Sequence, residues 1–149
     1  MGFINGIPDY GIHHMLMPDV IAEKLWGFLS AMCESMIDLE EDCIIEGESV
    51  LPELIFQLKE KYPDKLRICF IGYTNTTLNY KVEEIKKYSK DKKDWISDKS
   101  DEYIIDHVKN MMPHSKEIKK SCEKYNLAYF DTSNNFENVL KEVIKFMLK

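Results

Sequence analysis

Two glutamates flanking a glycine are the side chains in this sequence best placed to do chemistry. Glu46 and Glu48 lie within DCIIEGESVLPEL (residues 42–54), directly after the apolar residues 43–45. If that apolar run is a buried strand, a carboxylate at its end needs hydrogen bonds, water or a cation to offset desolvation. Mg²⁺ would suit Glu46, because proteins commonly hold this ion with one or two carboxylates plus phosphate oxygens and waters. The alternative is that strand ends are polar simply because they are exposed.

Three predicted strands, at 43–47, 66–73 and 127–131, must position such a site. The second, LRICFIGY, is rich in branched and aromatic residues, and the third ends in Asp131-Thr132-Ser133. Strands that alternate with helices are typical of an α/β protein with a small parallel sheet covered by helices. Ligands bind beyond the carboxyl ends of such strands, so the three polar ends are expected at one edge of the sheet.

Helices are predicted between and around these strands. Pro18 suits a first turn, Pro52 opens a short helix, and Thr76 or Thr77 opens a third. Ser100 is a predicted N-cap for a long helix that runs to about residue 125, with Pro113 bending or interrupting it. A last helix begins near residue 136.

Composition narrows the class of protein. With 149 residues, 44% hydrophobic and 31% charged, the sequence is that of a globular domain rather than a disordered chain. A net charge of −6 argues against nucleic-acid binding. No stretch approaches the 18 apolar residues of a membrane span. Four widely spaced cysteines indicate a reduced, cytoplasmic protein without a disulfide framework.

The segments CIIEGESVLP, LRICFIGYTN and YFDTSNNF, in this order, resemble the later strands of P-loop small-molecule kinases. The likeness is to kinase-like ATP-binding proteins related to adenylate kinases and nucleoside kinases, and it spans nearly the whole chain. The resemblance implies one kinase-like α/β domain over residues 1–149 with a P-loop NTPase-like fold. It also implies ATP and Mg²⁺ as cofactors and phosphoryl transfer to a small molecule that the sequence does not identify.

The resemblance further assigns roles to particular residues. Glu46 and Glu48 would be the catalytic acids beside the Mg²⁺ and the acceptor substrate. The residues near the nucleotide base would be Asp131, Thr132 and Ser133. The lid over the phosphates would carry Lys81, Lys86 and Lys87, although a solvated helix face explains these lysines too. Residues 7–14 would lie on the acceptor side.

One departure from the family concerns the phosphate-binding loop GxxxxGK[ST] and the strand before it. None of the six glycines in the sequence is followed by Lys-Ser or Lys-Thr. Relative to the family the domain is therefore N-terminally incomplete, and this chain alone is expected to be inactive. ATP and Mg²⁺ would be cofactors only if the missing unit is supplied. Without that strand, 43–47 is expected to pair with 66–73, which pairs with 127–131, or a homodimer fills the gap.

Two hypotheses of different class follow from the sequence. The first is an ATP-dependent phosphotransferase whose phosphate-binding unit is absent from this chain. The second is a non-catalytic module that retains the α/β scaffold and binds a small ligand, such as a nucleotide, or a partner protein. The roles of Trp95 and of the pair His13-His14 stay open between a functional and a purely structural explanation.

Overall fold

The computed structural model describes residues 11–12, 16–89 and 96–148. His13, His14 and Trp95 lie outside the described residues, as do most of residues 7–14. The chain divides into two compact units, Met1–Arg67 and Ile68–Lys149, and each is considered by itself.

Two helices form the described core of the first unit. Helices α1 (Pro18–Asp38) and α2 (Pro52–Lys61) each begin with a proline in the first turn, where its missing N–H is not needed. Buried side chains of α1 and α2 include Ile21, Ala22, Cys33, Ile55 and Leu58. An ion pair of 2.9 Å between Lys61 Nζ and Glu34 Oε1 joins the two helices at the surface.

The predicted strand at 43–47 is wrong. These residues have no regular secondary structure, and residues 41–48 are all exposed. The side chain of Ile44 is 82% exposed. A short apolar run specifies a strand only if a neighbouring strand accepts its backbone hydrogen bonds and covers its side chains. The predicted pairing of 43–47 with 66–73 is therefore wrong as well, since the sheet among the described residues has two strands.

The second unit contains that sheet. Its elements are β1 (Cys69–Gly72), α3 (Leu78–Tyr88), α4 (Asp101–Lys124), β2 (Ala128–Asp131) and α5 (Phe136–Met147). The strands pair in parallel, from Cys69 opposite Ala128 to Gly72 opposite Asp131. This confirms the coarse prediction of an α/β fold and the predicted adjacency of 66–73 and 127–131.

Helices cover both faces of the two-stranded sheet. On one face, the rings of Phe130 and Phe146 of α5 meet edge to face with centroids 5.6 Å apart. On the other face, the Tyr129 hydroxyl donates to the carbonyl oxygen of Ser115 on α4 at 3.4 Å. Alternate strand residues point to opposite faces, so the sheet is anchored on one side by α5 and on the other by α4.

Helices α3 and α4 pack around a small hydrophobic core. Val82, Ile96, Ile104 and Val108 are buried there, and Val108 has no exposed surface. The predicted N-cap of α4 is confirmed, because the Ser100 hydroxyl accepts from the Tyr103 N–H at 3.3 Å. The predicted interruption at Pro113 is not seen, since α4 continues through it.

Gly72 leaves no room for a side chain. A Cβ at this position would lie 2.9 Å from Ser115 Oγ and 3.1 Å from Tyr129 Cζ, and closer still to the Tyr129 hydroxyl. We expect Gly72→Ala to lower the free energy of unfolding by about 1–3 kcal/mol through overpacking. Urea denaturation measures this loss.

A second substitution tests the cause. Tyr129→Phe removes the hydroxyl that the new methyl would strike, so the double variant should lose less stability than the two single losses added together. Strictly additive losses would show that the glycine is needed for another reason.

Candidate functional site

Three side chains connect the loops that follow β1 and β2; we call Thr74, Asp131 and Ser133 the strand-end clamp. The hydroxyls of Thr74 and Ser133 both donate hydrogen bonds to the Asp131 carboxylate. The backbone N–H of Ser133 donates to the same carboxylate at 3.0 Å. The Ser133 hydroxyl oxygen in turn accepts from the Thr74 N–H at 3.0 Å. The carboxyl ends of the two strands are thus fixed to each other.

Electrostatics reinforce the clamp. Partial burial alone would raise the pKa of Asp131, but the hydrogen bonds from Ser133 and Thr74 outweigh it and hold that pKa below its ordinary value. Lys119 adds an ion pair at 3.7 Å from Asp131 Oδ2. Since this pair is partly exposed, its contribution to stability is small.

Thr132 completes the junction from the backbone side. Its N–H donates to the Gly72 carbonyl oxygen at 2.8 Å, and its hydroxyl donates to the same oxygen at 3.0 Å. Thr132 and Ser133 are only 3% and 1% exposed. Asp131, Thr132 and Ser133, which the resemblance places near a nucleotide base, therefore use their polar atoms to join the two strand ends. They can shape a ligand site, but their oxygens are already engaged.

An open groove of about 420 Å³ begins at the residue after Ser133. We call it the α3–α5 groove; it is lined by Tyr80, Glu83, Glu84, Lys87, Tyr88, Asn134, Asn135, Phe136 and Glu137. The α3 members recur at intervals of three and four residues, so they occupy one face of that helix. Its volume falls in the range of small-molecule sites, about 300–1,000 Å³.

Aromatic rings form part of the otherwise polar lining of this groove. The rings of Tyr88 and Phe136 are 5.5 Å apart, centroid to centroid, and tilted by 39°. The Tyr88 hydroxyl donates to Glu137 Oε1 at 3.2 Å, which connects α3 to the first turn of α5. Tyr80 is 48% exposed at the α3 N-terminal end. Ring faces of this kind can stack on a planar aromatic ligand.

A buried ion pair lies against the wall of the groove. Lys81 Nζ contacts Glu84 Oε2 at 2.6 Å, and the two side chains are only 7% and 11% exposed. The ammonium also lies over the Tyr73 ring, 4.5 Å from its centroid, and 5.9 Å from that of Phe136. Burial raises the pKa of Tyr73 to about 12, so its ring stays uncharged beside the ammonium. Lys81 is thus buried and paired in this structure, and its role as a lid or phosphate contact stays a prediction.

The other two predicted lid lysines have different surroundings. Lys86 Nζ pairs with Asp101 Oδ1 at 2.6 Å, at the start of α4. Lys87 is exposed and lines the groove, with its ammonium 4.9 Å from the centre of the Tyr88 ring. Of the three lysines, only Lys87 presents its ammonium at the groove.

Glu46 and Glu48 lie in the first unit, in the exposed segment that has no regular structure. Among the residues that the structure describes, no three His, Cys, Asp or Glu side chains are grouped so that they could hold a metal ion. The Mg²⁺ role of Glu46 and the catalytic roles of Glu46 and Glu48 stay predictions.

The aromatic residues of the α3–α5 groove and the buried partner of Lys81 were not predicted from the sequence. One signal for the groove is visible in the sequence: Tyr80, Glu84, Lys87 and Tyr88 share one face of the helix that Thr77 caps. The groove position of Phe136 could not be predicted from the sequence, because this residue looks like any other apolar residue of an amphipathic helix.

No protein-family model, no curated protein and no solved structure matches this chain. None of the helices in the described ranges has the length and apolar composition needed to cross a bilayer.

Proposed function

We propose that this chain is a non-catalytic, small-molecule-binding α/β module of P-loop kinase-like ancestry, and that it binds nucleosides in the α3–α5 groove. The observation that carries the proposal is the position of that groove. It begins at Asn134, directly after the three residues where the resemblance expects a nucleotide base, and it offers three aromatic side chains.

Base stacking supports this ligand class. A nucleobase is planar and can stack on tyrosine or phenylalanine, and each such contact contributes about 1–3 kcal/mol. Tyr80, Tyr88 and Phe136 supply the rings, and the Asn134 amide supplies a donor and an acceptor for a base edge. The strand-end clamp keeps the loop that carries Asn134 and Asn135 in place, so the site is largely formed before a ligand arrives.

The second part of the proposal is that this chain does not catalyse phosphoryl transfer by itself. Kinases of the family it resembles hold the phosphates with a glycine-rich loop and its lysine. No glycine in this sequence opens such a loop. We infer that ATP-dependent transfer would need a phosphate-binding unit from another source, and that ATP and Mg²⁺ would be cofactors only when that unit is supplied.

Calorimetric titration of the chain with adenosine tests the binding proposal. We expect binding in the range of about 10 µM to 1 mM, as for a small ligand in an open site. Tyr80→Ala should weaken it at least about fivefold by removing a stacking surface. Tyr103→Ala is the matched control, because Tyr103 is 46% exposed but does not line the groove. Thermal melts establish that both variants are folded.

Two results would count against the proposal. If adenosine and other nucleosides give no heat at millimolar concentration, or if both tyrosine variants weaken binding equally, the groove is not the site.

Mg·ATP is expected to bind weakly or not at all. Low-micromolar binding of Mg·ATP would instead favour a working kinase-like nucleotide site.

A further inference from the structure

We infer that the charges of the α3–α5 groove select nucleosides without phosphate over nucleoside polyphosphates. The inference rests on the proposed function and narrows its ligand class. It depends on the ionised groups that line the groove rather than on the rings that stack, so the two proposals can fail separately.

Among the residues that the structure describes, the groove carries more acid than base. In the described part of the chain, its ionisable lining groups are the carboxylates of Glu83, Glu84 and Glu137 and the ammonium of Lys87. Three negative charges against one positive leave an excess of two negative charges. The Lys81 ammonium behind the wall compensates Glu84 at 2.6 Å, which leaves an excess of one. A triphosphate bound in the groove would bring several more negative charges close to this excess, and like charges repel one another.

The N-terminus of α5, which borders the groove, does not reverse this balance. A helix N-terminus attracts anions through its unpaired N–H groups and its dipole. Here the Asn135 side chain caps the helix by accepting the Asn138 N–H at 3.3 Å. The Glu137 carboxylate already lies in the first turn. The anion that this helix end favours is thus part of the protein.

Of the described residues that line the groove, Lys87 is the one cation, and its surroundings limit its use for a phosphate chain. Its ammonium lies near the Tyr88 ring and 3.5 Å from the Tyr88 hydroxyl, and that hydroxyl also donates to Glu137. One lysine offers a single positive charge to a phosphate chain. A kinase site, by contrast, surrounds the phosphates with several N–H donors and a metal ion.

The test compares adenosine, AMP and ATP by calorimetry at low ionic strength, without divalent cations. In the wild-type chain we expect ATP to bind at least about fivefold more weakly than adenosine, with AMP between them. In the variant Glu83→Gln/Glu137→Gln, this ratio should fall at least about threefold, since glutamine keeps the shape but removes the charge. The variant Glu117→Gln/Glu142→Gln changes the net charge equally outside the groove and should leave the ratio unchanged.

The possible results separate the two proposals. If ATP binds as tightly as adenosine or more tightly, the selection is overturned while nucleoside binding stands. The same holds if both glutamine variants shift the ratio equally, because the groove charges would then have no special role. If none of the three ligands binds, the proposed function fails and the selection fails with it.

Discussion

Replacing Asp131 by alanine should lower the free energy of unfolding by about 3 kcal/mol, because it leaves several donors of the strand-end clamp without an acceptor. The hydroxyls of Thr74 and Ser133 and the Ser133 N–H all donate to this carboxylate. Ser133 is 1% exposed, so water cannot easily replace the lost acceptor. Urea denaturation followed by circular dichroism measures the change.

Asp106→Ala is the matched control for Asp131→Ala. Asp106 is an exposed aspartate whose ion pair with Lys109 spans 3.3 Å on the surface of α4, and such pairs contribute little. An equal loss of stability in both variants would show that the clamp has no special weight.

The pH dependence of stability provides a second measure of how much the Asp131 carboxylate stabilises the fold. The pKa of Asp131 is lower in the folded chain than its ordinary value of 3.8. Its carboxylate therefore stabilises the fold above pH 3.8, and this stabilisation is lost as the pH falls through the folded pKa. The stability difference between wild type and Asp131→Asn should shrink over that acidic range. A difference that stays constant down to pH 2 would contradict the assignment.

Glu84→Gln has the second large expected effect, a loss of about 2–4 kcal/mol in the free energy of unfolding, because it leaves a buried ammonium without its counter-charge. Lys81 and Glu84 are nearly inaccessible to water. The rings of Tyr73 and Phe136 stabilise the Lys81 ammonium less than a carboxylate does. Denaturant titration at neutral pH measures the loss.

The double variant Lys81→Met/Glu84→Gln separates charge from shape. With no cation left to compensate, it should be more stable than Glu84→Gln alone, since an apolar side chain of similar length suits a buried position. Glu83→Gln is the neighbouring control, because Glu83 is exposed and its loss should change stability little. If the double variant is the least stable of the three, the ion pair itself is the stabilising element.

The parts of the fold that the sequence predicted are those with strong local signals. Ser100 caps α4 as expected because an N-cap hydroxyl acts on backbone only three residues away. The strands at 69–72 and 128–131 are short, but branched and aromatic residues within them favour extended structure. The run at 43–45 has a similar composition and fails, since a strand also needs a neighbour, and that is a tertiary condition.

The candidate site was predictable only in part. The sequence indicated that polar residues after the strands would meet at one edge, and Thr74, Asp131 and Ser133 do meet there. It could not show that they bond to one another, because the pairing depends on the register of β1 against β2. Nor could it show that Lys81 is buried while Lys87 is exposed, since only the packing of α3 decides which face turns inward.

The separation of the two strands along the chain has a consequence for folding speed. Thr74 and Asp131 meet across 57 residues, so the sheet forms only after a long loop containing α3 and α4 has closed. Contacts between successive helices are local and can form earlier, whereas such distant pairing slows folding. The entropy of closing this loop is lost before the hydrogen bonds of the clamp form, so the clamp forms after the rate-limiting barrier. Its bonds therefore mainly slow unfolding. In Asp131→Ala the unfolding rate should rise while the folding rate stays nearly constant, as stopped-flow kinetics can measure.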